Sequence, residues 1–268
     1  MKHVLSFSSA SARPRLSLRE DGLNEELELC GEHYFSFSPS RACIGYKGDG
    51  DWHSCANRAM NVRQCPQCQY KDVARVYTVG DFSLYPHLHD TLSAEKYIIY
   101  LAQFGADITK VGLTRRSRLD ARWREQGADF AAAILEFDGP DDAYPAEQLL
   151  QNSLDVVGAV RGTQKFKRLH FEREKAKAKL ARAVQAIQSD VKFDSYRAEC
   201  QITELAAHYP AVSNPEPVDF VGGRILGAKG AWLFFEGPSG QHYGVDMHSQ
   251  VGHFVQEKAE GGMAQQIL

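Results

Sequence analysis

The first forty residues alternate apolar and polar side chains: "VLSFS", "LSLRE", "LELCG" and "YFSFS" each set apolar groups two apart. A period of two predicts strands with one buried face. Residues 41–70 break the pattern, with four cysteines among Gly, Asp, Asn and Pro and little apolar content to build a core. Beyond residue 95, "YIIYLAQF" and "ITKVGLT" read as adjacent antiparallel strands joined through "GAD", and "SRLDARWREQG" reads as a helix ended by Gly127. "FAAAILEF" follows as a further strand, and "YPAEQLLQNSLDVV" as a helix with Pro145 near its start, where a missing N–H costs least. "FEREKAKAKLARAVQAIQSDV" is a long helix of strong formers. After the linker "HYPAVSNPEP", residues 216–256 return to short strands with glycine turns, predicting a small separate β domain.

The pattern predicts an α+β fold in three parts. Residues 1–92 form a β-rich, zinc-ribbon-like region with the cysteine cluster. Residues 93–192 form a small antiparallel sheet with flanking helices, one of them basic. Residues 193–268 form a linker helix and the small β domain. No window approaches ~18 consecutive apolar residues, so no membrane span is expected. The N-terminus lacks an apolar stretch of signal-peptide length, so a cytoplasmic, reducing setting is expected. Six cysteines then read as thiols or metal ligands rather than disulfides.

Cys43, Cys55, Cys65 and Cys68 carry the metal chemistry. Cys65-Pro66-Gln67-Cys68 makes a tight turn that aims two thiolates at one point, and Cys43 and Cys55 supply the other corners of a tetrahedron suited to Zn2+. His53 is a possible substitute for Cys55, and a redox pair at Cys65 and Cys68 is the competing reading. Four protein ligands leave no open position, so the zinc would be structural, and so apolar-poor a segment needs metal to fold. Cys30 and Cys200 lie outside the cluster and read as buried thiols. His87 and His89, in "PHLHD", have two-ligand spacing for a strand.

The net charge of −3 conceals blocks of one sign. Lys110, Arg115, Arg116, Arg118, Arg122 and Arg124 stand against Asp120 and Glu125, and nine basic residues between Arg161 and Arg182 stand against Glu172 and Glu174. Such blocks suggest a surface facing a polyanion; the plainer reading of residues 172–183 is a solvated helix face. One carboxylate, Glu147, several arginines, a lysine and a tyrosine around two strand ends suit metal-assisted phosphodiester cleavage, and guanidinium groups hold phosphate oxygens in bidentate fashion. Trp123 reads as a core anchor.

The order of these residues resembles the GIY-YIG endonuclease fold over roughly residues 95–168. "KYIIY" is similar to the first motif, with Tyr97 as its tyrosine. "KVG" at Lys110–Gly112 is similar to the second, Arg122 in "ARW" to the arginine motif, and Glu147 in "PAEQLLQ" to the metal-binding glutamate. The fuller pattern, "KVG-T-R" and "RW-EQGA" between a cysteine cluster and a glycine-rich β segment, is similar to a bacterial and archaeal family. The resemblance implies a GIY-YIG-like nuclease, a hydrolase acting on DNA or RNA. In it Tyr97 would orient or deprotonate the nucleophile and Lys110 would contact the scissile phosphate. Arg122 would stabilise developing charge, and Glu147 would bind Mg2+ or Mn2+. Arg115, Arg116 and Arg118 would contact substrate. Lys110 stands where tyrosine is usual, and Gln126, which cannot transfer a proton, stands where His or Tyr is common. The alternatives are a non-catalytic, zinc-containing nucleic-acid-binding protein on the same scaffold, and an enzyme acting on a small phosphorylated or activated substrate.

Overall fold

The computed structural model describes residues 1–48, 50–153 and 155–257. The chain divides into two compact units, residues 1–73 with 209–268, and residues 74–208. The class is α+β, as the patterning predicts.

The first unit opens with strands β1 (Lys2–Ser8), β2 (Arg15–Glu20), β3 (Leu23–Glu28) and β4 (Glu32–Arg41), then the short hairpin β5 (Tyr46–Lys47) and β6 (Trp52–His53) and helix α1 (Pro66–Lys71). The chain passes into the second unit and back. Strands β1 to β3 pair antiparallel in sequence, and their alternation buries Leu16 and Leu18.

The second unit holds α2 (Ala74–Val79), α3 (His87–Ser93), β7 (Lys96–Phe104), β8 (Ile108–Arg115), α4 (Leu119–Gln126), β9 (Phe130–Asp138), α5 (Ala143–Ser153), α6 (Gly162–Phe166), α7 (Arg173–Gln188) and β10 (Thr203–Glu204). Its antiparallel sheet runs β10-β9-β7-β8. Ile99, Leu101, Val111 and Leu135 form the core with Leu150 of α5 and Ala176, Leu180 and Ile187 of α7. Helix α7 buries that one stripe and turns Lys175 and Lys177 outward, while Arg173 pairs with Glu204. Part of residues 172–183 is therefore a solvated helix face, whereas Lys165 donates to the Gln126 carbonyl at 2.7 Å and Arg168 pairs with Asp107 at 2.6 Å. Helix α4 ends where Gly127 takes φ 70°, a left-handed cap that glycine adopts without steric cost.

The chain then re-enters the first unit as β11 (Glu216–Pro217), β12 (Phe220–Lys229), β13 (Trp232–Glu236), β14 (His242–Asp246) and β15 (His253–Glu257). Here the structure departs from the three-part organisation and from a separate C-terminal domain. One nine-stranded sheet runs β11-β14-β13-β12-β4-β15-β1-β2-β3, with β12 and β15 flanking β4. The reason is burial. Leu5, Leu16, Leu18 and Phe35 share one core with Val221, Leu233, Phe235 and Val245, so each half covers the other's apolar face. The boundaries expected at residues 92/93 and 192/193 accordingly fall at 73/74 and 208/209. Among the described residues no helix is long and apolar enough to cross a membrane.

His3 sits inside this unit, 8 % exposed, with Nε2 3.0 Å from the Gly252 carbonyl oxygen and 3.2 Å from that of Ala42. Burial lowers its pKa below the ordinary 6.5, Arg19 and His253 adding to the effect against the two carbonyls. The folded state thus refuses a proton that the unfolded chain accepts, and its stability is lost as pH falls through about 6.5. Urea melts between pH 5 and 8 are expected to lose stability toward the acid side. The slope should flatten in His3→Gln, and an unchanged slope would remove His3 as its source.

Candidate functional site

In the first unit, β4 delivers Cys43 from its end and the β5–β6 hairpin delivers Cys55 just after it. Cys65 precedes α1, with Pro66 opening the helix, and Cys68 lies inside it. The four Sγ atoms all lie within 4.8 Å of one another, three of the residues being buried and Cys55 half-buried. The N–H groups of Gly45 and Cys65 donate to the Cys43 sulfur at 3.4 and 3.3 Å. Burial pushes the Cys43 and Cys68 thiols up, whereas the N–H of Ala59 brings Cys55 down to about 7. The apolar neighbours of the thiols are few and only partly buried, among them Tyr46, Ala59 and Val62. This centre can hold a metal such as zinc. His53 is not its fourth member; its ring stacks on Tyr46 with centroids 4.7 Å apart. Cys30 is exposed and Cys200 half-buried, so the buried status expected of both is corrected. His87 and His89 stand on helix α3, not on a strand, so their two-residue spacing does not aim both rings at one point; His89 faces Asp141 at 3.3 Å.

In the second unit, the antiparallel register of β7 and β8 sets Tyr97 opposite Arg115, Tyr100 opposite Gly112 and Ala102 opposite Lys110. Strand side chains alternate, so Tyr100, Lys110 and Gly112 share one face of the hairpin and Tyr97 lies on the other. Gly112 is required there: a Cβ at this position would come 2.5 Å from the Tyr100 hydroxyl and 3.1 Å from Lys110 Nζ. Gly112→Ala is therefore expected to cost roughly 1–3 kcal/mol by overpacking. A thermal melt checks this, and an unchanged melt would mean that the phenol has room to move.

Tyr100 is fully buried. Gln126 Nε2 donates to its hydroxyl at 2.7 Å, and Trp123 packs edge-on at 6.3 Å between centroids. Trp123 is the core anchor its size suggested. Lys110 Nζ lies 6.0 Å from the Tyr100 ring centroid. Burial chiefly, then the Arg122 charge, lowers Lys110 to about 8, with Glu147 opposing. Burial raises Glu147, while Lys110, the Leu113 N–H and Arg122 act the other way. Tyr100 feels the Arg122 and Glu147 charges in turn and is pushed up to about 12 by burial. Lys110, Arg122 and Glu147 thus form one charged cluster around the neutral Tyr100 phenol.

Tyr97 is 3 % exposed and burial raises its phenol to about 12. It lines a cavity of about 120 Å3 together with Tyr77, Tyr144, Leu113, Arg118 and Arg122. Arg115 reaches the same cavity, pairs with Glu95 at 2.6 Å and stands 5.3 Å from the Tyr77 ring centroid. Arg116 does not join them; it pairs with Glu136 of β9. The cavity and the charged cluster meet at Arg122, whose side chain is 43 % exposed, and at Leu113, whose N–H acts to lower the Glu147 carboxyl.

Tyr100, Tyr77 and Tyr144 are the members sequence reasoning missed; Gln126 was singled out, but as a position unable to transfer a proton and not as the partner of Tyr100. A period-two count along β7 separates Tyr97 from Tyr100, and one along β8 puts Lys110 with Gly112, so the strand pattern held a signal for Tyr100. Tyr77 and Tyr144 come from other elements and left no local signal.

An α+β protein thus carries four clustered thiols able to hold a metal in one unit and a basic, tyrosine-lined site in the other. The chain belongs to the family described as "Protein of unknown function (DUF2797)", whose model matches residues 35–255. Comparison with curated proteins and with solved structures finds no match.

Proposed function

We propose that the protein is a divalent-cation-dependent phosphodiesterase acting on DNA or RNA, a nuclease of the GIY-YIG type. The observation that carries this is the position of Arg122, which lines the open cavity and joins Lys110 and Glu147 in the charged cluster around Tyr100. A hard cation such as Mg2+ or Mn2+ needs only one or two carboxylates, completing its shell with water and substrate oxygens. Glu147 fits that demand: half-buried, its carboxylate favoured by Lys110, the Leu113 N–H and Arg122 nearby. When bound, the cation would polarise a phosphoryl oxygen.

The remaining chemistry belongs to the side chains. Arg122 offers a guanidinium fork to the phosphoryl oxygens, where charge accumulates as the bond breaks. Lys110 contacts the scissile phosphate from the strand. Phenols raised to about 12 stay protonated, so Tyr97 and Tyr100 serve as hydrogen-bond donors and not as bases. Gln126 holds the Tyr100 oxygen in place. Zinc on Cys43, Cys55, Cys65 and Cys68 is structural in this reading, because four thiolates leave no position for substrate.

That same protonation of both phenols favours a second reading, a zinc-containing nucleic-acid-binding protein without hydrolysis. A nicking assay on plasmid and single-stranded substrates with Mg2+ or Mn2+ separates the two. Cleavage is expected; binding that weakens with salt but leaves every bond intact selects the second reading. Hydrolysis confined to small phosphate esters would replace both with an enzyme of small phosphorylated substrates.

A further inference from the structure

The cavity beside Arg122 has features that phosphate contact alone does not use. Three tyrosines from three separate elements line it, Tyr77 of α2, Tyr97 of β7 and Tyr144 of α5, with Leu113. Aromatic and aliphatic walls of this kind suit a flat ring better than a hydrated anion. Donors stand among them. Arg118 and Arg122 are half-exposed, sharing Glu125 at 2.8 and 3.7 Å. The Tyr144 hydroxyl is already spent on the Val76 carbonyl at 2.9 Å. The Tyr97 hydroxyl, by contrast, has no hydrogen-bond partner among the described residues, although the residue is 97 % buried and lines the cavity. So placed, this hydroxyl is a donor open to an acceptor bound in the cavity.

Size narrows the ligand. A closed apolar cavity of roughly 150 Å3 holds a benzene ring; at about 120 Å3 with an open mouth this cavity is of single-ring size, and a fused pair would protrude further into solvent. A single flat ring with acceptor oxygens on its edge, attached to a phosphate, describes a pyrimidine nucleotide. A base can enter such a cavity only when it is out of the stack, which costs least in single-stranded nucleic acid.

We propose that this cavity receives one unstacked pyrimidine beside the phosphate held by Arg122, its ring against the exposed Tyr77 and its edge oxygen on the Tyr97 hydroxyl. The inference rests on the nucleic-acid reading of the site. It makes the protein selective for single-stranded, pyrimidine-containing substrates.

Fluorescence anisotropy tests it, using labelled oligothymidylate and oligoadenylate of equal length and a blunt duplex, without added divalent cation so that no bond is cut. Oligothymidylate is expected to bind about tenfold or more tighter than the other two. Tyr77→Ala, at a side chain already substantially exposed, is expected to erase that preference through lost stacking, and Tyr77→Phe to keep it. Equal binding of the two single strands, or a preference intact in Tyr77→Ala, overturns the proposal, as does displacement of oligothymidylate by inorganic phosphate as effective as that by thymidine monophosphate. A preference without any cleavage in the nicking assay sustains the cavity and sinks the hydrolase reading; cleavage without preference does the reverse.

Discussion

Arg122→Ala is expected to slow phosphodiester cleavage by about 10²–10³-fold, the usual loss when one donor to developing negative charge is removed. Its melting temperature should barely move, because the side chain is 43 % exposed and its nearest acidic partner, Glu125, lies 3.7 Å away and also pairs with Arg118. Surface pairs of this kind contribute little. Arg122→Lys should recover only part of the rate, since an ammonium cannot make the two parallel bonds of a guanidinium. Glu147→Gln should lose at least as much and respond to added Mn2+ far less than wild type, because the amide keeps the shape and discards the charge. Full activity in Glu147→Gln would end the cation reading. Removing a carboxyl that burial already disfavours should leave the fold intact.

The second large effect concerns the thiols. Metal analysis is expected to return about one zinc per chain, and Cys68→Ser to lose it. Structural zinc carries on the order of 10 kcal/mol of apparent folding free energy in small zinc modules. Apart from Ile44 and Trp52, which pack on the core of the nine-stranded sheet, the segment between β4 and α1 has partly buried Tyr46, Ala59 and Val62 and backbone bonds such as Cys43 N to Ala59 O at 2.8 Å. Limited proteolysis should therefore cut Cys68→Ser, or chelator-treated wild type, between residues 43 and 68. The nine-stranded sheet, with its own core, should survive. A metal-free preparation that resists protease in this segment would show that the thiols need no ion.

Much of the local structure was legible because short-range physics wrote it. The long helix, the strand "FAAAILEF" and the Gly127 cap follow from propensity, periodicity and the freedom of glycine at positive φ. The cysteine spacing was equally legible: a two-residue gap closes a turn, and four thiols in a polar segment have few other uses. Cys55 rather than His53 was less so, since both lie near the same turn and only packing decides which reaches inward. Tyr100 was half legible. Alternation puts it on the Lys110 face, but the tyrosine motif drew attention to Tyr97, which faces the cavity on the other side.

What the chain alone determined is the identity of its elements, the clustering of its thiols and the gathering of positive charge around one hairpin, because each depends on neighbours within a few residues. Only the tertiary structure decided that strands some two hundred residues apart complete a single sheet, and that tyrosines from α2, β7 and α5 wall one cavity with Arg122. Those outcomes come from burying apolar faces against distant partners, a choice made by the whole core and by no local pattern.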